Sequence, residues 1–104
     1  MDEILTARAE ILKAIAQPTR LKIIELLRDG ERCVCEIFPA IAEEQSNTSR
    51  HLNIMQNNGI LARRKEGTKI LYSVKHPEAL EIADLASAIL KKEISGKSNL
   101  LQAV

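Results

Sequence analysis

Gln45-Ser46-Asn47-Thr48-Ser49-Arg50-His51-Leu52-Asn53-Ile54-Met55-Gln56-Asn57-Asn58-Gly59 decides how this chain is read. The stretch holds few apolar residues, with Leu52 and Met55 placed to anchor one face of a helix and Asn58-Gly59 supplying a left-handed stop. A helix this polar offers its other face to something wet. An α-helix fits the major groove of B-DNA, where short polar side chains and an arginine reach both phosphates and base edges. Ser46, Thr48 and Ser49 bring hydroxyls, Asn47 and Asn53 bring amides suited to adenine edges, Arg50 brings a fork for guanine or phosphate, and His51 brings a further donor. The plainer readings are that His51 caps or packs and that Ser46 is an N-terminal cap.

Two short runs follow, Ile60 to Lys65 and Lys69 to Val74, the second alternating Ile70, Tyr72 and Val74. Glu66-Gly67-Thr68 turns between them, which predicts a hairpin. Arg63, Arg64, Lys65 and Lys69 cluster toward its tip. The formal net charge of +1 therefore conceals an asymmetry: from Ser46 to Lys75 six basic residues stand against one acid, a net +5, while the remainder sums to −4. One concentrated basic segment on a nearly neutral chain suits a polyanion met with one face, and the hairpin would add salt-dependent, weakly selective affinity. A solvated cationic hairpin is the plainer alternative.

Upstream, Ile4, Leu5, Ile11, Leu12 and Ile15 recur at helical spacing up to Ala16. Pro18 then opens a second helix carrying Leu21, Ile23, Ile24, Leu26 and Leu27, which stops at Asp29-Gly30. A third, short helix is expected from about Cys33 to Ala42, burying some of Val34, Ile37, Phe38 and Ile41, with Pro39 forcing an early or irregular start. Downstream, Pro77 opens a last helix whose Leu80, Ile82, Ala83, Leu85, Ala86, Ile89 and Leu90 exceed what one small core needs, so its surplus apolar face asks for a partner. Three helices, a polar helix, a basic hairpin and a closing helix make a mainly α fold with a small β-hairpin: a winged helix-turn-helix. Residues 1–94 form the DNA-binding and dimerisation domain on this reading, and 95–104 a flexible polar tail.

The chain has 104 residues, 45% of them hydrophobic, enough for one small core. It lacks an apolar run long enough for a membrane span and a signal-like N-terminus, so a cytoplasmic protein with no membrane partner is expected. Phe38 and Tyr72 are its only aromatic residues, which argues against base-stacking platforms. Glycine-rich phosphate loops, paired-carboxylate devices and His-rich metal motifs are missing, and an enzyme is not expected.

Pro18-Thr19-Arg20-Leu21-Lys22-Ile23-Ile24, Cys33-Val34-Cys35-Glu36-Ile37, Ser49-Arg50-His51-Leu52, Gly59-Ile60-Leu61, Arg63-Arg64-Lys65-Glu66-Gly67 and Tyr72 together resemble the ArsR/SmtB family of winged-helix repressors, over about residues 4 to 92. The resemblance implies a homodimer built from the first and last helices, bound to double-stranded operator DNA through the polar helix and the wing and released by an effector. A two-fold dimer would read two half-sites. Arsenic- and heavy-metal-responsive members carry Cys-Val-Cys at this place, usually with a third cysteine three residues on, where this chain has Phe38.

Cys33 and Cys35 are too few for a disulfide scaffold or a four-thiolate zinc site. Beside Arg32 at a helix start they are placed to favour thiolate, the reactive and metal-binding form. Residues i and i+2 diverge on a helix, so the two sulfurs share one ion or one bond only if the helix start is unwound or a second subunit contributes. Candidate ligands are arsenite, antimonite or a soft divalent metal, thiol oxidation is the alternative, and inert packing is the plain one. His76 with Glu78, Glu81 and Asp84 reads as solvated charge rather than a zinc site. A repressor is thus expected, with a winged-helix protein-interaction module as the rival and a thiol enzyme disfavoured for want of a base or cleft.

Overall fold

The computed structural model describes residues 2–95, and the tail expected over 95–104 lies, Ser95 apart, outside the described residues. α1 (Asp2–Ile15) buries only Ala14 and Ile15, at its C-terminal end. Gln17 caps α2 (Pro18–Leu26) by accepting from the Arg20 amide at 3.0 Å, and Pro18 takes the first helical position, where a missing N–H costs nothing. α2 tightens into a 3-10 turn, Leu27–Asp29, before Gly30.

α3 spans Val34–Ala40, shorter than the expected Cys33 to Ala42, because Cys33 is its cap in extended backbone and Pro39 already sits in its last turn. α3 ends with Ala42 in the left-handed region at φ 57°, where Ala42 N–H donates to the Pro39 carbonyl and Glu43 N–H to that of Phe38. α4 (Gln45–Asn57) ends the same way, with Gly59 at φ 77° and Ile60 N–H donating to the Met55 carbonyl at 2.9 Å. Both are Schellman closures, and at the first an alanine stands where glycine is usual. The bend at residues 41–44 sets α4 against α3 and completes the helix-turn-helix.

Arg32–Cys33 (β1), Leu61–Glu66 (β2) and Lys69–Val74 (β3) form an antiparallel sheet in the order β1-β3-β2. The hairpin is as expected; β1 is an addition, since a two-residue strand carries no alternation to read. Opposed residues share a face, so the register sets Arg63 and Lys65 with Tyr72 and Ile70, and sets Arg64 with Leu71 and Cys33 on the other side. The core lies under α4: Ile23, Ile24, Leu27, Ile37, Leu52, Met55, Leu61 and Tyr72 pack together, joined by Ala79 from α5 (Glu78–Ile94). Arg28 ties α2 to α5 through Asp84 at 2.7 Å.

Candidate nucleic-acid interface

Along α4 the buried residues are Thr48, His51, Leu52 and Met55, the i, i+3, i+4, i+7 stripe of a helix seated on a core. On the opposite side Ser46, Arg50 and Asn53 are exposed, and Asn47 and Ser49 are half-buried. Ser46 is not the cap; Glu44 occupies that position, without a side-chain bond.

Two expected contact residues are corrected by this geometry. Thr48 has no accessible surface, and its Oγ1 lies buried without a hydrogen-bond partner among the described residues. His51 is 4% exposed, and its Nδ1 accepts from Arg20 Nε at 3.1 Å while Arg20 also donates to the Lys13 carbonyl at 3.1 Å. One arginine thus fastens α4 to the end of α1. Burial, then the Arg20 and Arg50 cations, push the His51 pKa below the ordinary imidazole value, with Glu43 opposing. The ring is a neutral acceptor in the core, so neither Thr48 nor His51 reaches a groove.

On the accessible face the side chains are tied to each other. Asn47 Nδ2 donates to Glu43 Oε1 at 2.8 Å, and Arg50 Nη2 donates to Asn47 Oδ1 at 2.7 Å. In the hairpin Arg63, Arg64, Lys65 and Lys69 are all exposed, but Arg64 is held by Glu31 through Nε at 2.9 Å and through Nη2, and by Glu66 at 2.8 Å. Those bonds raise the Arg64 pKa further and hold the Glu31 carboxyl below its usual range. Arg63 and Lys65, on the opposite face, form no ion pair among the described residues. Sequence reasoning missed Arg20, Glu31 and Glu43. Only Glu43, one helical turn before Asn47, carried a spacing signal.

Cys33 and Cys35 are joined by a disulfide across a Cα–Cα distance of 5.1 Å. The helix start is unwound in the sense this requires: Cys33 keeps an extended backbone and Cys35 is the second residue of α3. Cys33 is buried and Cys35 exposed, so solvent reaches the pair from one side. Glu36 closes the cap by accepting from the Cys33 amide at 3.1 Å. Phe38 supplies no third ligand, and no group of three or more His, Cys, Asp or Glu residues among those described could hold a metal ion. None of the described helices is long and apolar enough to cross a membrane.

Residues 17–63 match the family described as bacterial regulatory protein, arsR family. The uncharacterized HTH-type transcriptional regulator MJ1325 of Methanocaldococcus jannaschii is 42% identical over 82 residues, covering 78% of this chain and 92% of that protein. The arsenical resistance operon repressor of Staphylococcus xylosus is 35% identical over 66 residues, 64% of each chain. Among solved structures, the homodimeric winged helix-turn-helix DNA-binding domain Mb0332 of Mycobacterium bovis, a possible ArsR-family regulator, superposes with a TM-score of 0.82 at 26% identity, covering 94% of this chain and 91% of that one.

Proposed function

The chain belongs to the ArsR family of winged helix-turn-helix transcriptional regulators, and on that premise we propose that it is a homodimeric repressor whose grip on operator DNA is set by the Cys33–Cys35 pair. Regulation of transcription, not catalysis, is the work of this family. A regulator that works on operator DNA is expected in the cytoplasm.

The contact set is Ser46, Ser49, Arg50 and Asn53 on the outward side of α4, with Asn47 bonded beside Arg50, together with the wing cations Arg63, Lys65 and Lys69. Arg64, engaged by two carboxylates, contributes less. Dimerisation runs through α1 and α5: Ile4, Leu5, Ile11 and Leu12 on the first and Leu85, Ile89 and Leu90 on the last stay exposed, more apolar surface than a small monomer keeps in the open. The homodimeric state of the Mycobacterium bovis domain supports a dimer, and the exposed apolar residues are what point to α1 and α5.

The observation that carries the control point is the disulfide at the cap of α3. α3 packs against α4 and the sheet, so a change of bonding at Cys33 and Cys35 acts on the element that seats the DNA-facing helix. Bonded sulfurs favour a thiol–disulfide response, with two electrons and two protons passing to an oxidant. A second reading, arsenite, antimonite or a soft metal on the two thiolates, draws support from the arsenical repressor's likeness. The donor set is one short of a three-sulfur site, so any such ligand takes two sulfurs from this chain.

Fluorescence anisotropy on operator duplex tests both. Reduced protein is expected to bind, and oxidised or arsenite-treated protein to release. Cys33→Ser and Cys35→Ser are expected to bind under every condition. Unchanged responses in both variants would end the sensor reading while leaving DNA binding intact.

A further inference from the structure

We infer that Glu43 and Asn47 position Arg50 to read a guanine in each operator half-site, an inference that rests on the DNA-binding reading above.

The three residues form one directed chain. Glu43 stands in the bend between α3 and α4, Asn47 on the first turn of α4, and Arg50 one turn later on the accessible face. A carboxylate only accepts and a guanidinium only donates, so a single orientation of the Asn47 amide satisfies both, nitrogen toward Glu43 and oxygen toward Arg50. Reading adenine requires an amide to accept from N6 and donate to N7 together. Each end of the Asn47 amide already makes one bond, to Glu43 and to Arg50, and turning it to pair with an adenine edge would break both, which makes Asn47 a positioning residue.

Arg50 is left with a pre-aimed fork. One of its nitrogens is bonded to Asn47, and its remaining N–H groups have no partner among the described residues. Guanine presents two adjacent acceptors, O6 and N7, to such a fork, whereas adenine sets a donor against it. A side chain already tied loses less rotamer freedom on binding. A relay that starts from a carboxylate also suits a base edge better than a phosphate, which that carboxylate would repel.

The test is selection by the full-length protein from a random-sequence duplex pool, followed by salt titrations on the selected duplex. Wild-type protein is expected to select guanine at one fixed position per half-site, and 7-deazaguanine there to weaken it about tenfold. Arg50→Lys is expected to keep the salt dependence but lose that preference by about tenfold or more, since a lysine cannot form the fork. Arg50→Ala is expected to be indifferent to 7-deazaguanine. Glu43→Gln, which keeps an acceptor for Asn47, should retain the preference, and Glu43→Ala and Asn47→Ala should relax it without changing the far-UV circular dichroism. Uniform weakening on all sequences by Arg50→Ala would make it a phosphate contact and overturn the inference, as would wild-type selectivity in both Glu43→Ala and Asn47→Ala. A wild-type protein with no salt-dependent affinity for duplex DNA would overturn the DNA-binding reading itself.

Discussion

Thr48 and His51 are polar residues spent on the inside of a helix whose polarity is otherwise turned outward. Replacing Thr48 by valine keeps the shape and removes a buried hydroxyl that lacks a partner. Leaving such a group unpaired costs about 1–3 kcal/mol, so Thr48→Val is expected to raise the melting temperature by several degrees and leave operator affinity unchanged. Lost affinity in a folded variant would return Thr48 to the contact surface. His51 makes stability depend on pH. Its folded-state pKa lies below the unfolded value of about 6.5, so the unfolded chain takes up the proton first. Stability is fully present above about pH 6.5 and falls as pH drops through the interval down to the folded-state pKa. Arg20, Arg50 and Glu43 are the charges that act on the ring. The lowered carboxyls of Glu31 and Asp84 act only in their own, more acidic range. Urea titrations at pH 7.5 and 5.5 are expected to show this loss in the wild type and a smaller one in His51→Gln. At this scale the sequence was half legible. The character of residues 45–59 was plain, but its inward stripe passes through a threonine and a histidine, and only Leu52 and Met55 looked apolar enough to mark it.

α4 and the hairpin are each legible as elements because their signals run over many residues: a helix terminated by Asn58-Gly59 and a hairpin turned at Gly67, whose φ of 62° needs the residue that stands there. The third strand was not legible, since β1 is fixed by its tertiary pairing of Arg32 with Tyr72 and Cys33 with Leu71. Nor did sequence reveal that Arg64 is tied to Glu31, 33 residues away in the chain. That tie separates four wing cations that look equivalent in sequence. Arg63→Ala, Lys65→Ala and Lys69→Ala are each expected to weaken operator and scrambled duplex alike and to lower the salt slope by about one, as the loss of a phosphate contact does. Arg64→Ala is expected to change the slope less. Equal slopes for all four variants would show that Glu31 releases Arg64 when DNA arrives.

For the whole molecule, the expected first and last helices are found, each burying a few apolar residues and leaving others outward, and it is this surplus that a monomer leaves unexplained. Leu85 and Ile89 are 64% and 63% exposed on α5. Leu12→Glu or Ile89→Glu is expected to shift sedimentation from dimer to monomer and, by removing the second half-site contact, to weaken operator binding at least tenfold. A glutamate variant that still sediments as a dimer would move the interface elsewhere. Whether α4 and the wing face duplex DNA together is read from the wild-type protein's affinity for operator duplex as a function of salt. Log Kobs is expected to fall linearly with log salt, with a slope of several units that shrinks when Arg63 and Lys65 are both replaced by alanine. Affinity that stays flat across salt, or a slope untouched by that double replacement, would mean that α4 and the wing do not share one DNA-binding face.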